Sequence, residues 1–298
     1  MAVVVEQHPR HPAETNGRRA GPGFTAARET LGNRFVYLMV SPRARGLSVG
    51  VNLNPDRRCN FECLYCDVDR PAPPGAPELD VEVMADELGH TLAQVQPGRL
   101  RRLDSFRNLP DELLTLRHVA ISGDGEPTLC PVFADALRAV VHVRARGQFP
   151  FFKIVLLTNA TTLDQTSVQH GLRLLIPQDE VWAKLDGGSS EYFKQVNRPH
   201  NHLAKVLSNI LLLARQRPVV IQSLFPLING LEPPEAEIDR YAHRLLELVA
   251  GGAQITLVQI YSATRAPAHP ECGHLPLRAL SRIAQKVRQA TSLPVEVF

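Results

Sequence analysis

The segment "GLSVGVNLNPDRRCNFECLYC", residues 46–66, joins a strand-like run to three closely spaced cysteines. Its first part, 46–54, is apolar and bounded by turn residues, which is typical of a β-strand. Cys59, Cys63 and Cys66 follow in a polar loop with the spacing C-x3-C-x2-C. The segment therefore predicts a strand whose carboxyl end leads directly into a group of thiols.

The same order, a strand followed by a helix, recurs along the rest of the chain. Strand-like segments rich in Val, Ile and Leu alternate with segments that have a helical apolar period. The predicted strands are 116–122, 152–159, 180–186, 218–225 and 254–262, and the predicted helices are 79–96, 132–146, 164–175, 203–216, 236–250 and 277–290. Six such units predict an α/β fold in which helices cover a parallel sheet. Because right-handed crossovers wind such a series round, we expect a partial (β/α)6 barrel of parallel strands with outer helices.

Three further features refine this fold. Residues 1–24 are polar and rich in Pro and Gly, so we expect a disordered tail, followed by a single domain over 25–298. A strand-like "RFVYLMV" (34–40) precedes the first unit, and "RPAPPGAP" (70–77) predicts an extended spacer. A flat doubly wound sheet is the alternative, and it is weakened because no strand-like segment is followed by G-x-G-x-x-G.

The composition is that of an ordinary globular protein. Hydrophobic residues make up 44% of the 298 residues, and 33 basic against 30 acidic residues leave a net charge of +3. This balance does not favour nucleic-acid binding. No apolar run reaches the ~18 residues of a membrane span, and the N-terminus does not resemble a secretory signal. We therefore expect a cytoplasmic protein without a membrane partner, whose five cysteines stay reduced.

Three thiols on one loop are suited to an iron–sulfur cluster. Four cysteine thiolates complete a 4Fe–4S cluster, so three leave one iron open to a small molecule. The alternatives are a zinc site that borrows a distant histidine and a set of simply buried thiols. The remaining Cys130 and Cys272 lie far apart in the chain and are too few for a second cluster. His269 and His274 lie close to Cys272, which leaves a small metal site there as an alternative.

Polar and glycine-containing segments end the other predicted strands. In a parallel β/α array the active site forms at the carboxyl ends of the strands. The segments in this position are "GDGEP" (123–127), "TNAT" (158–161), "KLDGG" (184–188), "QSLF" (222–225) and "QIYS" (259–262). We therefore expect these segments to line one rim of the barrel together with the three thiols.

The C-x3-C-x2-C spacing after the first strand, with the aromatic Tyr65 just before the last cysteine, resembles the radical S-adenosylmethionine superfamily. The resemblance covers roughly residues 45–265. Within the superfamily the motif order is closest to stand-alone iron–sulfur oxidoreductases, which are distantly related to the wybutosine-type tRNA-modifying enzymes. The resemblance implies one 4Fe–4S cluster on the three cysteines, S-adenosylmethionine on its open iron, and Tyr65 beside the cofactor. It also implies reductive cleavage of S-adenosylmethionine to a 5′-deoxyadenosyl radical that abstracts hydrogen from a substrate.

The resemblance extends to two of the strand ends. "GDGEP" is similar to the family's Gly-Gly-Glu-Pro motif, with Asp124 in place of the second glycine. It implies that Gly123, Asp124, Gly125 and Glu126 hold the methionine ammonium, since glycines bring carbonyls close and Glu126 supplies negative charge. "TNAT" is similar to the family's Thr-Asn-Gly stretch. Asn159 is therefore expected to bind ribose, carboxylate or substrate, and an Asx cap of the next helix is the alternative.

Lys184 and Asp186 are the charged candidates at the end of the fourth strand. They are two residues apart on a strand and so point to the same side of the sheet. Inside a barrel each charge is costly unless it is paired or bound to a ligand. We expect both to be catalytic or cofactor-binding, with Asp186 toward ribose hydroxyls and Lys184 toward a carboxylate. A structural ion pair is the alternative.

The last two strands supply four more candidates. Gln222 and Ser223 are expected to point inward, either to a ligand or to hydrogen bonds within the barrel. Ile260 or Tyr261 is expected to pack against adenine, as the last strand does in the family, and core packing is the alternative. In "NRPHNHL" (197–203) an arginine and two histidines could reach an anionic substrate, but a loop that links two helices is the favoured interpretation.

The leading functional hypothesis is an enzyme that uses one 4Fe–4S cluster and S-adenosylmethionine to abstract hydrogen from a small molecule or from a peptide or protein side chain. An external flavodoxin- or ferredoxin-like electron donor would reduce the cluster. The near-neutral charge favours these substrates over tRNA. Activation of a glycyl-radical enzyme is a further option within this class. A tRNA-modifying enzyme of the same family and a non-catalytic iron–sulfur or zinc protein are the alternatives.

Overall fold

One large twisted sheet organises the computed structural model. The structure describes residues 29–68, 78–263 and 269–298. The predicted tail 1–24 and spacer 70–77 lie outside these residues, so the predicted domain boundary at residue 25 stays a prediction. The strands are β1 (Val36–Ser41), β2 (Gly46–Asn52), β3 (Leu116–Ser122), β4 (Lys153–Thr158), β5 (Glu180–Lys184), β6 (Val219–Leu224), β7 (Pro226–Ile228), β8 (Ile255–Tyr261), β9 (Cys272–His274) and β10 (Val295–Val297).

Eight helices follow or precede these strands in the described part of the chain. They are α1 (Val81–Gln94), α2 (Pro97–Leu100), α3 (Phe133–Ala145), α4 (Thr166–Leu172), α5 (Ser190–Asn197), α6 (Leu203–Ala214), α7 (Glu235–Ala250) and α8 (Leu277–Thr291). Short 3-10 turns lie at Asp104–Phe106, Asp111–Leu114 and Pro127–Leu129. None of these helices is both long enough and apolar enough to cross a membrane.

The order of strands confirms the predicted partial barrel. The sheet runs β1-β2-β3-β4-β5-β6-β8-β10, and every neighbouring pair from β2 onward is parallel. β1 is antiparallel to β2, because the two strands form a hairpin. β1 and β10 are the two edges of the sheet, so the barrel stays open between them. The carboxyl ends of β2 through β8 therefore meet at one rim, as the sequence predicts.

Local chemistry explains where several of these elements begin. Asp80 caps α1 by accepting hydrogen bonds from the backbone N–H groups of Glu82 and Val83, and Ser189 caps α5 through Tyr192. The apolar faces of the helices cover the outer face of the sheet and form the main core. A smaller apolar cluster, built from Val155, Trp182 and Val220, fills part of the barrel interior.

A small antiparallel pair, β7 and β9, was not predicted from the sequence. It spans three residues on each strand, with Leu227 opposite Gly273 and Ile228 opposite Cys272. Runs this short carry no readable period, so only tertiary contacts reveal them. Cys272 is buried in this pair.

Candidate cofactor and active site

The cysteine loop lies on the rim between β2 and α1 and is fastened by the carboxyl end of α5. The backbone N–H of Glu62 donates to the carbonyl of Asn197 at 3.1 Å, and that of Leu64 donates to the carbonyl of Val196 at 2.8 Å. Leu64 is buried beneath the loop, so apolar packing adds to these bonds. Cys59, Cys63 and Cys66 are partly exposed residues, whereas Cys130 and Cys272 are buried, Cys272 in a small apolar cluster with Leu64.

The GDGEP turn lies directly against the cysteine loop. The backbone N–H of Glu126 donates to the carbonyl oxygen of Arg58 at 3.0 Å. A Cβ placed on Gly125 would lie 1.9 Å from that oxygen, and one on Gly123 would lie 2.8 Å from the side-chain oxygens of Asn52 and Asn54. Glycine is therefore required for the close approach of the two segments. The predicted juxtaposition of thiols and glycine turn is present in the structure.

Glu126 is held by the protein itself. Its buried carboxylate accepts hydrogen bonds from the Thr128 hydroxyl at 2.6 Å, the Thr158 hydroxyl at 2.6 Å and the Asn159 backbone N–H at 2.7 Å. Burial raises the pKa of Glu126, and these hydrogen bonds counter it. The carboxylate therefore ties the end of β3 to the end of β4. Asp124, its neighbour on the same turn, accepts from the side-chain amide of Asn52 at 2.7 Å.

Asn159 connects the end of β4 to the cysteine loop. Its side-chain amide donates to the side-chain oxygen of Asn60 at 2.7 Å, and its own side-chain oxygen accepts from Thr161. Ala160 has a positive φ of 65°, a conformation that favours glycine. Glycine, which the family's Thr-Asn-Gly stretch has at this position, suits this conformation. Asn159 thus stabilises a local turn and fastens the loop, but it does not cap the next helix, which begins at Thr166.

A buried network at the end of β5 surrounds Asp186, whose side chain is inaccessible to solvent. One carboxylate oxygen accepts from the backbone N–H of Leu224 at 2.8 Å. The other accepts from the side-chain amide of Asn197 at 2.7 Å and from the hydroxyl of Tyr65. Lys184 lies 3.7 Å from the same oxygen, so the two charges face the same side as predicted. The carboxylate of Asp186 therefore already accepts hydrogen bonds from three groups of the protein.

This network reaches the thiol of Cys63. The side-chain amide of Asn197 lies 3.4 Å from its sulfur. Burial raises the pKa of Cys63 to about 11, although the positive charge of Lys184 counters the shift. Burial alone would lower the pKa of Lys184, but Asp186, together with Tyr261 and Cys63, outweighs burial and holds the pKa above its ordinary value. Lys184 therefore stays charged beside the loop, 4.7 Å from the ring centre of Tyr65.

The candidates on β6 and β8 divide between the two faces of the sheet. Gln222 faces the interior and donates to the side-chain oxygen of Gln259 at 2.8 Å. Tyr261 also faces the interior, where its hydroxyl lies 3.4 Å from the Lys184 ammonium. Ser223 instead hydrogen-bonds the hydroxyl of Tyr241 on α7, and Ile260 lies in the main core between sheet and helices. Alternation along the strands thus turns Ser223 and Ile260 away from the interior, contrary to their prediction as site residues.

Two other predicted features are engaged in contacts within the protein. Arg198 pairs with Glu271 at 2.7 Å and contacts His269, so it links α5 to the segment before β9. This agrees with the favoured interpretation of a linking loop. Cys130 ends the 3-10 turn after GDGEP and is buried in the main core.

A cavity of about 500 Å³ opens beside the cysteine loop and extends into the barrel. Its lining includes the GDGEP turn at the rim and the inward residues of β1 to β5, namely Tyr37, Met39, Ser41, Ser48, His118, Ala120, Ser122, Leu157 and Trp182, with Arg43 from the β1–β2 turn. Four of these lining residues were not predicted from the sequence: Tyr37, Arg43, His118 and Trp182. Strand alternation marks His118 and Trp182 as inward, but no sequence pattern points to Arg43.

The donor groups around this rim fit an iron–sulfur cluster with a bound cofactor. Three thiols stand together on one loop, and two side-chain oxygens beside it, those of Asn54 and Asn197, are buried without a hydrogen-bond partner. Within the described ranges, no group of three or more His, Cys, Asp or Glu side chains is placed to hold a single metal ion. Thiols that serve separate irons of one cluster do not need to converge on one point.

Comparison with known proteins gives the same family assignment. Residues 53–242 match the Radical SAM superfamily. A UPF0026 protein of Helicobacter pylori (strain J99) is 26% identical over 240 residues, which cover 78% of this chain and 69% of that protein. A radical SAM methyltransferase from Sphaerobacter thermophilus has a TM-score of 0.59 at 17% identity, covering 88% of this chain and 68% of that chain. TYW1 with a lysine-pyruvate adduct bound has a TM-score of 0.55 at 15% identity, covering 87% and 85%. At these identities the two structures show the fold alone.

Proposed function

The chain belongs to the radical SAM superfamily, and we propose that it abstracts a hydrogen atom from an organic substrate held in the barrel cavity. It is a radical SAM enzyme whose cofactors are a 4Fe–4S cluster and S-adenosylmethionine. Such an enzyme requires a substrate and an electron donor, and we propose a flavodoxin- or ferredoxin-like protein as the donor. When bound and reduced, the cluster supplies the electron that cleaves S-adenosylmethionine to methionine and a 5′-deoxyadenosyl radical.

Cys59, Cys63 and Cys66 would hold the cluster, because they are the three thiols on the rim loop. Two protein contacts position this loop for the purpose. Asn197 lies against the sulfur of Cys63, and the carbonyl of Arg58 is bound by the GDGEP turn. The same turn presents its backbone at the mouth of the cavity, where it would bind the methionine end of the cofactor.

Two buried carboxylates, those of Glu126 and Asp186, support the site through hydrogen bonds to the protein. Glu126 joins the ends of β3 and β4, and Asp186 holds Tyr65 and Asn197 in place. Because both carboxylates already accept several protein hydrogen bonds, we propose that they position the rim. The side chain of Lys184 is 20% exposed and would face the cofactor or the substrate.

The cavity is the observation that carries the proposal. Its volume of about 500 Å³ lies within the range of about 300–1,000 Å³ typical of small-molecule sites. It runs from the GDGEP turn, where the cofactor would bind, into an interior lined by aromatic and polar side chains. A substrate in this space would lie next to the site of radical formation and out of bulk water.

Release of 5′-deoxyadenosine tests the proposed function. The full chain is reconstituted with iron and sulfide under anaerobic conditions and is then mixed with S-adenosylmethionine and dithionite. We expect 5′-deoxyadenosine and methionine in equal amounts, and no release from a Cys63→Ala variant. The Cys130→Ala variant is the matched control, since Cys130 is buried in the main core and is not one of the three loop cysteines. Protein that binds a cluster but releases no 5′-deoxyadenosine would contradict the proposal.

A further inference from the structure

Arg43 brings a positive charge to the barrel cavity. It lies in the turn between β1 and β2, and its guanidinium stands 4.3 Å from the ring centre of Tyr261. Its Nε atom is buried without a hydrogen-bond partner, and the guanidinium forms no ion pair with any described residue. A guanidinium has five N–H donors and keeps its charge at any physiological pH. A partly buried arginine whose Nε atom has no acceptor among the described residues is suited to bind an anion.

His118 on β3 is a second unpartnered group in the same cavity. The residue is 2% exposed, and its Nδ1 atom has no hydrogen-bond partner. Its ring packs edge-on against Trp182, with ring centres 5.4 Å apart. A buried polar nitrogen without a partner costs free energy that a ligand could recover. Burial lowers the pKa of His118 to about 3, helped by the charges of Lys153 and Arg43, so the ring is neutral.

Arg43 and His118 line the same cavities. Both line the cavity of about 500 Å³, and both also line a smaller one of about 260 Å³ that lies toward the amino ends of the strands. The carboxylates on the larger cavity, Asp67 and Asp124, belong to the segments at its rim. Of these, Asp124 is hydrogen-bonded to Asn52. Arg57 also lines the rim, so charges of both signs are present there, whereas Arg43 is the charged side chain at the opposite end of the larger cavity. In the smaller cavity Glu180 is bound by Lys153 and by the ring N–H of Trp182.

We propose that the substrate is a small organic anion, a carboxylate or a phosphate, whose charged group binds Arg43 and His118 inside the barrel. This assignment rests on the proposed function and narrows its substrate class. The guanidinium would donate a charge-assisted pair of hydrogen bonds to the anion. His118 would donate one more from its Nδ1 atom, in the tautomer that carries hydrogen there.

The position of His118 also limits the shape of the substrate. His118 lies four residues before Ser122 on β3, which is about 13 Å along the strand at about 3.3 Å per residue. Ser122 and Gly123 line the rim end of the same cavity. A substrate anchored at His118 and Arg43 would therefore extend toward the rim. The carbon that loses hydrogen would lie at the end of the molecule away from the anion.

A panel of paired small molecules tests this assignment. The reconstituted full chain is saturated with S-adenosylmethionine, and thermal shift and calorimetry then measure binding of carboxylates and phosphate monoesters. Each anion is compared with its uncharged methyl ester, amide or alcohol. We expect at least one anion to bind with a Kd of about 1 mM or tighter, while its neutral partner binds much more weakly.

Matched variants locate the binding site. We expect Arg43→Gln to weaken binding of the anion by about 10- to 100-fold, because a charge-assisted pair of hydrogen bonds is lost. Arg43→Lys keeps the charge and should show a smaller loss of affinity for the anion. Arg34→Gln is the control, since Arg34 also stands over an aromatic ring, 5.0 Å from that of Phe35, but is exposed to solvent.

The outcomes separate this inference from the proposed function. Anion binding that depends on Arg43 supports the inference even if no 5′-deoxyadenosine is released, in which case the proposed chemistry alone fails. Several results overturn it: equal binding by wild type and Arg43→Gln, equal binding of neutral partners, or no anion-specific binding up to about 10 mM. Competition between the anion and S-adenosylmethionine would assign Arg43 to the cofactor and would also overturn it.

Discussion

The α-carbon of Gly125 lies so close to the carbonyl oxygen of Arg58 that a Cβ at this position would be 1.9 Å from it. This contact joins the glycine turn after β3 to the cysteine loop after β2. The backbone N–H of Glu126 donates to the same oxygen at 3.0 Å. The cysteine loop and the glycine turn therefore meet at one carbonyl group, and small changes there should disturb both segments.

Gly125→Ala tests this contact. The added methyl group must push backbone away from backbone, so we expect a loss of about 2 kcal/mol or more in the free energy of unfolding. Iron per chain after reconstitution should fall as well, since the loop that carries the thiols is displaced. Urea unfolding and iron analysis measure the two effects.

Gly89→Ala is the control for that substitution. Gly89 lies within α1, and a Cβ there would meet nothing within 4 Å. Alanine is the better helix former, so this variant should gain up to about 1 kcal/mol in stability. Equal effects of the two substitutions would contradict the close contact at Gly125.

Single replacement of Cys59, Cys63 or Cys66 by Ala should abolish stable cluster binding and leave the fold largely intact. Each thiolate would supply a separate ligand to the cluster, and the other described cysteines, Cys130 and Cys272, are buried. The visible absorption of the reconstituted protein and its iron content measure the loss, and circular dichroism checks the fold. A replacement that kept full cluster loading would show that the ligand assignment is wrong.

Asp186→Ala should be strongly destabilising. It leaves the buried N–H of Leu224 and the amide of Asn197 without their acceptor and leaves Lys184 without its nearest countercharge. Breaking such a buried set costs about 3 kcal/mol or more. Urea unfolding of the apoprotein measures the loss.

Asp239→Ala provides the comparison for Asp186. Asp239 forms a 2.7 Å ion pair with Lys286 on the surface, and its side chain is 62% exposed. Exposed pairs contribute little, so no measurable change in unfolding is expected. If Asp186→Ala were as mild as this variant, the buried network would not hold the rim together.

His118 should make stability depend on pH. In the unfolded chain its ordinary pKa is 6.5, whereas in the folded protein the pKa is about 3. Between these values the unfolded state binds the proton and the folded state does not, so stability is lost as pH falls from 6.5 toward 3.

A His118→Gln variant isolates this contribution. Melting temperatures of wild type and variant, measured from pH 7 to pH 4, should show wild type losing stability relative to the variant as pH falls. A difference that is constant over this range would show that His118 takes up its proton equally well in the folded state.

Much of the fold followed from local patterns. The alternation of strand-like and helix-like segments predicted the parallel sheet and its outer helices, because side-chain periodicity reports which face of an element is buried. The C-x3-C-x2-C spacing after β2 predicted the group of thiols, and the polar segments at the strand ends predicted the rim. The short pair of β7 and β9 left no such pattern, and neither did the inward direction of Arg43.

The roles of the individual residues in the site depend on contacts between distant parts of the chain. Sequence spacing placed Lys184 and Asp186 on one side of the sheet, yet it could not show that Asp186 is closed off by Tyr65 and Asn197. Likewise, GDGEP marks a glycine turn, but only the fold brings it against Arg58.

The chain's own patterns were thus sufficient for the main sheet with its helices and for the group of thiols, because each depends on residues close together in sequence. The direction of Ser223 and Ile260, the burial of Glu126 and the meeting of Arg43 with His118 were decided by the packed structure. These features depend on which side chains meet across strands, and hydrogen bonds and burial between residues far apart in the chain determine that.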